Sequence, residues 1–283
     1  MRYAGLSTDV KPNAPINSVL FELDTNKVYY YTGVWNEIGT EDYDAKVKGI
    51  AHRGFSSVAP ENTLPAYVLA REKGFRYGEC DVSFTKDGIP VLLHDSTINR
   101  TSNGSGNIND LTFEQVREYD FGSWKSSAYT GTKIPSFEEF IVLCQEIGLK
   151  PYIEIKNSAT YTEAQVQGLM DTVKEYGVDA TWISFSATYL AYVKNYDESA
   201  RIGYVVSSIS SSTISTAQSL QTGKNEVFID SSSYGDSAVS LCSAASIPLE
   251  IWTIDSEATI KSMSEYITGV TSNSLIAGKV LQN

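Results

Sequence analysis

The chain has 283 residues, 42% of them hydrophobic, and a formal net charge of −12. That length permits one large domain or two small ones, and the apolar share is enough to bury a substantial core. The acidic balance argues against sequence-independent nucleic-acid binding, which needs a basic footprint, and disfavours docking on an anionic membrane.

The N-terminus, MRYAGLSTDVKPNAPINSV, lacks the basic start and apolar run of a signal peptide. No apolar run approaches the ~20 residues of a membrane span. The expected location is cytoplasmic by default, or associated with a virion or tail. Residues 1–46 read differently from the rest. Ser18 to Ile38 is SVLFELDTNKVYYYTGVWNEI. Val19, Phe21 and Leu23 alternate with polar partners, Asp24-Thr25-Asn26-Lys27 is a turn signal, and Thr32-Gly33 breaks the run again. This predicts a small β-meander or hairpin, too short for a core of its own. It is similar to the short adaptor segments near the ends of phage tail and host-contact proteins. Two uses stay open: attachment to a larger assembly through residues 1–46, or a hairpin packed on the main domain.

From Val47 the pattern changes to short apolar strands alternating with helical stretches, which predicts an α/β fold. Candidate strands are Val47–Ala51, Arg76–Phe84, Lys150–Ile155, Thr181–Phe185, Arg201–Val206, Glu226–Asp230, Pro248–Ile254 and Gly269–Thr271. Helical stretches fall between them at Thr63–Lys73, Ser136–Ile147, Thr162–Tyr176, Ala187–Tyr196, Ile214–Thr222, Ser237–Ala245 and Ser256–Met263. This predicts a (β/α)8 TIM barrel over residues 47–283, with residues 1–46 as a β extension. Pro90–Leu93 follows the second strand too closely for a parallel crossover. Lys86-Asp87-Gly88 is a hairpin signal, so Pro90–Leu93 is expected to fold back antiparallel and return His94 to the level of Asp81. Asn99 to Pro135 reads as an excursion over the barrel mouth. Ser207 to Ser219 is serine-rich and reads as a solvated loop entering a helix, or as a mobile loop at the mouth. Cys80, Cys144 and Cys242 show no CxxC spacing and are expected to be small buried residues.

Barrel sites lie at the C-terminal ends of strands. His52 and Arg53 end the first candidate strand. Glu79 and Asp81, at i and i+2, share one face of the second. Glu154 and Lys156 repeat that spacing on the third, and His94 returns on the hairpin. Glu79, Asp81 and Glu154 would repel one another if left bare and close. One divalent cation resolves this, and an all-oxygen set favours Mg2+ or Ca2+ over zinc. The alternative is acids paired with lysine or arginine. His52 and His94 are the only two histidines in the chain. Two imidazoles at one mouth suit general acid-base work on a phosphodiester. Arg53 and Lys156 suit the non-bridging phosphate oxygens.

With those residues in place, the chain resembles the glycerophosphodiester phosphodiesterase family. The matching pieces are AHRG with PENT, GECDVSFTKDGIPVLLHD, NRTSNGSG, DFGSWKSSAYTGTKIPSFEEF, YIEIK, ISFS and IWTID. The resemblance implies a barrel of the phosphatidylinositol-phospholipase-C-like type, with hydrolysis of glycerophosphodiesters to glycerol 3-phosphate and an alcohol. It implies His52 and His94 as the acid-base pair, Glu79, Asp81 and Glu154 as metal ligands, and Arg53 and Lys156 as phosphate contacts. It also implies that Glu61 fixes its loop. Trp252, in IWTID, either stacks on a choline head or fills the barrel. One departure is at Thr271-Ser272-Asn273-Ser274, where the family has a Thr-Asp-x-Pro pattern, and it bears on the shape of the mouth there. Alternative substrates for the same residues are a lysophospholipid or a polymeric glycerol-phosphate wall chain, with a cyclic phosphate as a further product. A non-catalytic binding module of a phage-tail-like assembly is the remaining alternative.

Overall fold

The computed structural model of the chain describes residues 2–5, 8, 10–13, 18–22, 28–31, 35–38, 47–156 and 160–274. Two sheets form. The first contains β1 (Arg2–Gly5), β2 (Ser18–Glu22), β3 (Val28–Tyr31) and β4 (Trp35–Ile38), in that order. β2, β3 and β4 make the expected antiparallel meander, with Phe21 opposite Val28 and Tyr31 opposite Trp35. β1 pairs parallel to β2 and has no counterpart among the expected elements. The turn signals at 24–27 and 32–33 lie outside the described residues.

The second sheet is the barrel. Its parallel strands are β5 (Lys48–Ala51), β6 (Tyr77–Phe84), β8 (Lys150–Ile155), β9 (Thr181–Ser184), β10 (Arg201–Val206), β11 (Val227–Ser231), β12 (Leu249–Ile251) and β13 (Ile267–Ser272), with β7 (Pro90–Leu92) antiparallel on β6. The spatial order is β5, β13, β12, β11, β10, β9, β8, β6, and pairing of β6 with β5 closes the ring. The helices are α1 (Leu64–Glu72), α2 (Phe113–Arg117), α3 (Phe137–Ile147), α4 (Glu163–Glu175), α5 (Ala187–Tyr196), α6 (Ser211–Leu220), α7 (Asp236–Ala244) and α8 (Glu257–Lys261).

Local sequence explains where these helices begin and end. Ser136 and Thr162 cap α3 and α4 as full capping boxes, with Glu139 and Gln165 reaching back to the cap nitrogens. Gly148 ends α3 in the left-handed region at φ 63. Strand parity divides the core. Cys80 and Val82 of β6 face the helices, while Ile50, Tyr152, Ile183, Val205 and Phe228 pack together around the axis. Gly203 makes room there, because a Cβ on it would stand 2.3 Å from Phe228 Cζ. The three cysteines are free and buried, as expected.

Two details differ from the expectation. α6 begins at Ser211, because Ser210 accepts from the Thr213 nitrogen and starts the helix early, so most of the serine-rich stretch is helical. The excursion after β7 carries its own helix, α2, started by a capping box from Thr112 and Gln115. It also has its own apolar cluster, which includes Ile98, Ile108, Val116 and Phe121.

Candidate active site

The strand ends bring the sequence-selected residues to one mouth. His52, Arg53, Glu79, His94, Glu154, Lys156 and Trp252 line one cavity of about 120 Å3, together with Asp230. Asp81 lies beneath it, fully buried. The fold-back of β7 works as anticipated: the Leu93 nitrogen donates to the Asp81 carbonyl at 3.0 Å, which brings His94 level with that strand end.

Glu79, Asp81 and Glu154 each offer an oxygen within 4.8 Å of the others, and all three are buried. Their surroundings split them electrostatically. Burial pushes Glu79 well above its ordinary carboxyl value, and the Asp81 charge adds to this. Burial also raises Glu154 to about 7, again with help from Asp81. For Asp81, burial acts upward, but Lys156 and Arg53 outweigh it and hold the group below its ordinary value. Lys156 Nζ stands 3.1 Å from both Asp81 Oδ1 and Glu154 Oε1. The second contact is misaligned, so Glu154 Oε1 is buried with no hydrogen-bond partner. Three converging hard oxygens, one of them without a donor, fit a cation of the Mg2+ or Ca2+ kind.

Around this cluster the loop after β5 is tightly fixed. Arg53 takes φ 55, and its nitrogen donates to Glu79 Oε2 at 2.8 Å. Its guanidinium donates to Glu61 at 2.9 Å and reaches Asp81 at 3.2 Å. Gly54 is required beside it: its φ is +79 and a Cβ would meet Ala66 Cβ at 2.6 Å. Asn62 Nδ2 donates to Asp81 Oδ2 at 2.8 Å. Glu61, expected only to fix its loop, lies between two guanidinium groups, those of Arg53 and Arg100.

Each histidine has an oriented partner. His52 Nδ1 is 2.7 Å from Asn273 Oδ1, and Asn273 Nδ2 donates to Asp255 Oδ2 at 2.8 Å. The carboxylate fixes which way the amide points, so the oxygen faces the ring. Nδ1 of His52 must therefore carry the hydrogen, leaving Nε2 toward the cavity. Burial lowers the proton affinity of His52, and Arg53 lowers it further. His94 Nδ1 lies 2.7 Å from Asp95 Oδ1, and Arg100 holds both oxygens of Asp95. Asn273 and Asp255 were missed in the sequence, where residues 271–274 registered as a departure from a pattern. Asp95 stood in the quoted LLHD motif without a role. Trp252 sits edge-on to Phe185, with ring centres 5.7 Å apart, and its Nε1 donates to the Asp230 carbonyl at 3.3 Å.

The chain has counterparts among known proteins. The model of the glycerophosphoryl diester phosphodiesterase family matches residues 52–275. Glycerophosphodiester phosphodiesterase 1 of Mus musculus is 39% identical over 126 residues, 44% of this chain and 38% of that protein. A glycerophosphodiester phosphodiesterase of Caldanaerobacter subterraneus subsp. tengcongensis is 36% identical over 156 residues, 54% of this chain and 64% of that protein. The chain thus spans less than two thirds of these curated relatives. A phosphodiesterase of Oleispira antarctica, solved with the product sn-glycerol-3-phosphate, superposes with a TM-score of 0.74 at 28% identity, covering 83% of this chain and 96% of that one. A glycerophosphodiester phosphodiesterase of Agrobacterium tumefaciens, at 21% identity and TM-score 0.67, shares the fold over 82% of this chain and 98% of its own.

Proposed function

The chain belongs to the glycerophosphoryl diester phosphodiesterase family, and from that premise we propose that it hydrolyses glycerophosphodiesters to glycerol 3-phosphate and an alcohol. The observation that carries this reading is the convergence of two oriented imidazoles on one cavity, above a buried carboxylate triad. Residues 47–283 are the catalytic unit in this proposal, and residues 1–46 are an extension to it.

The roles follow from the contacts. His52 is the base: its Nδ1 hydrogen is engaged by Asn273, its proton affinity is depressed by burial, and Nε2 is free to take a proton from the water that attacks phosphorus. His94, backed by the Asp95 carboxylate, is the acid that gives a proton to the leaving alcohol oxygen. Arg53 and Lys156 spread positive charge over the non-bridging oxygens and leave Asp81 for them when substrate enters. Glu79, Asp81 and Glu154 would hold the divalent cation, which supplies Lewis-acid polarisation of a phosphoryl oxygen and neutralises developing charge. Among the described residues no helix is long and apolar enough to cross a membrane.

The test is release of glycerol 3-phosphate from glycerophosphocholine with Mg2+, with Ca2+ and with a chelator, beside His52→Ala and Glu79→Ala. Activity that is lost on chelation and in both variants supports the reading. Turnover that is indifferent to chelation and to both substitutions sinks it.

A further inference from the structure

Asp230 is the one charged group lining the cavity that the proposed reaction leaves without a task. It is 3% exposed, and its Oδ1 is buried with no hydrogen-bond partner among the described residues. Parity explains its direction. Phe228, two residues earlier on β11, packs in the axial cluster, whereas Val227 and Ile229 pack in the outer core beneath the helices. Three strands separate β11 from β6 either way round the ring. Asp230 therefore faces the Glu79 and Asp81 strand from the opposite wall.

A buried carboxyl oxygen without a donor is destabilising, more so when charged, so a native protein that keeps one needs a reason. Among the described residues no group donates to Asp230 Oδ1. Arg201 gives Nη2 to Glu250 at 2.7 Å and Nη1 to Tyr152 at 2.6 Å, and its Nε, which makes no hydrogen bond, lies 3.0 Å from Glu226 in an ion pair. The Trp252 indole donates to the backbone oxygen of Asp230, not to its carboxyl. The missing donor is then a group that enters the cavity.

The size and walls of the cavity narrow what that group is. The cavity of about 120 Å3 holds several waters, since each needs only ~10–15 Å3 of such space. Ile183, Phe185, Val205 and Trp252 form the wall around Asp230. A short polyol arm fits this space. With the phosphate held beside the histidines, Arg53 and Lys156, the ester carbon and the hydroxyl next to it stay near phosphorus. Only the far end of a three-carbon arm reaches the opposite wall. Burial, with the Glu250 and Glu154 charges adding to it, pushes Asp230 well above the ordinary carboxyl range, which suits a neutral hydroxyl better than an ammonium.

We propose that Asp230 is a specificity-determining residue that accepts a hydrogen bond from the terminal hydroxyl of the substrate's glycerol arm. This rests on the phosphodiesterase reading and adds to it the group that recognises glycerol.

The experiment compares kcat/KM for glycerophosphocholine and for an analogue whose terminal CH2OH is CH3, with the carbon-2 hydroxyl kept so that any route through it survives. Wild type should favour the natural substrate on the order of 100-fold or more, since a site built around a hydroxyl rejects the analogue lacking it. Asp230→Leu should bring that ratio to within about threefold, chiefly through loss on the natural substrate. Asp230→Asn, which keeps an acceptor oxygen, should retain part of the ratio. A wild-type ratio under threefold overturns the assignment without any variant and leaves the phosphodiesterase reading intact. Dependence on Asp230 that follows the ammonium of glycerophosphoethanolamine, and not the terminal hydroxyl, also overturns it. If wild type hydrolyses no glycerophosphodiester with either Mg2+ or Ca2+, the underlying reading fails and this inference falls with it.

Discussion

Asn273 presents its amide oxygen to His52 Nδ1 at 2.7 Å, although the two residues lie at opposite ends of the barrel sequence. Closure of the ring makes them neighbours, since β13 pairs directly with β5. The Asp255 carboxylate takes both the backbone nitrogen and the amide nitrogen of Asn273, so the amide cannot turn over. The consequence is a single tautomer for His52. Asn273→Ala should lower kcat by about 10- to 100-fold, the worth of one well-placed hydrogen bond of ~1–3 kcal/mol, with KM changing little. The chain has only two histidines, so nitrogen chemical shifts of the imidazoles read the tautomer directly. Wild-type His52 protonated on Nε2 and bare on Nδ1 would sink the idea.

Arg100 joins the two halves of the mouth. It donates to Asp95 at 2.7 and 3.1 Å and to Glu61 at 2.8 and 2.9 Å, behind His94 and Arg53 respectively. The hydrogen bond from Arg100, with one from His94 beside it, lowers Asp95 from 3.8 to about 2 against the upward effect of burial. The sign follows from linkage. A carboxyl depressed in the folded state adds stability that is full above its unfolded value near 4 and is lost as pH falls toward about 2. The Asp95 side chain is 30% exposed, and solvent screening holds this to roughly 1 kcal/mol or less. Arg100→Ala should therefore melt lower than wild type at pH 6 and approach it by pH 2. A constant difference across that range would show that Arg100 acts by packing and not through Asp95.

The barrel was legible because its signals are local. Short apolar runs, capping residues and the Lys86-Asp87-Gly88 turn lie within a few residues of what they specify, and eight strands with an antiparallel fold-back emerged from them. The metal-like cluster was legible for the same reason: Glu79 with Asp81, and Glu154 with Lys156, declare a shared face by parity alone. Asn273, Asp255 and Asp230 were not, because their meaning depends on which strand stands next to or across from theirs. Parity from Phe228 does point Asp230 inward, but only the closed ring says what it faces. The Thr112–Gln115 capping box of α2 was present in the sequence and was passed over, because the glycines around it give that segment the composition of a loop.

Glu79, Asp81 and Glu154 share a space only 4.8 Å across, so any cation that binds there binds the folded state alone. Mg2+ or Ca2+ at about 100 times its Kd should stabilise the protein by about 2.7 kcal/mol, and a chelator should reverse the gain. Glu154→Gln keeps the shape and one acceptor but removes a charge, so its melting temperature should respond less to either ion. Thermal denaturation with and without metal measures both, independently of turnover. Equal curves for wild type under metal and under chelator would remove the cation from the site.

Gly203 and Phe228 occupy adjacent strands, paired in register between β10 and β11. The ring of Phe228 fills the space where a Cβ of residue 203 would be, at 2.3 Å from Cζ and 2.6 Å from Cε2, with Ile183 Cγ2 at 2.9 Å. The axial core is closed around these groups, and Phe228 is fully buried. Gly203→Ala should cost about 1–3 kcal/mol by overpacking, read as a lower denaturant midpoint at unchanged slope. Pairing it with Phe228→Leu shortens the side chain at the point of collision. The double variant should then be more stable than the sum of the two single losses implies, a coupling of about 0.5 kcal/mol or more. Additive losses would mean that the strain of Gly203→Ala is taken up elsewhere, against Ile183 or by movement of β10.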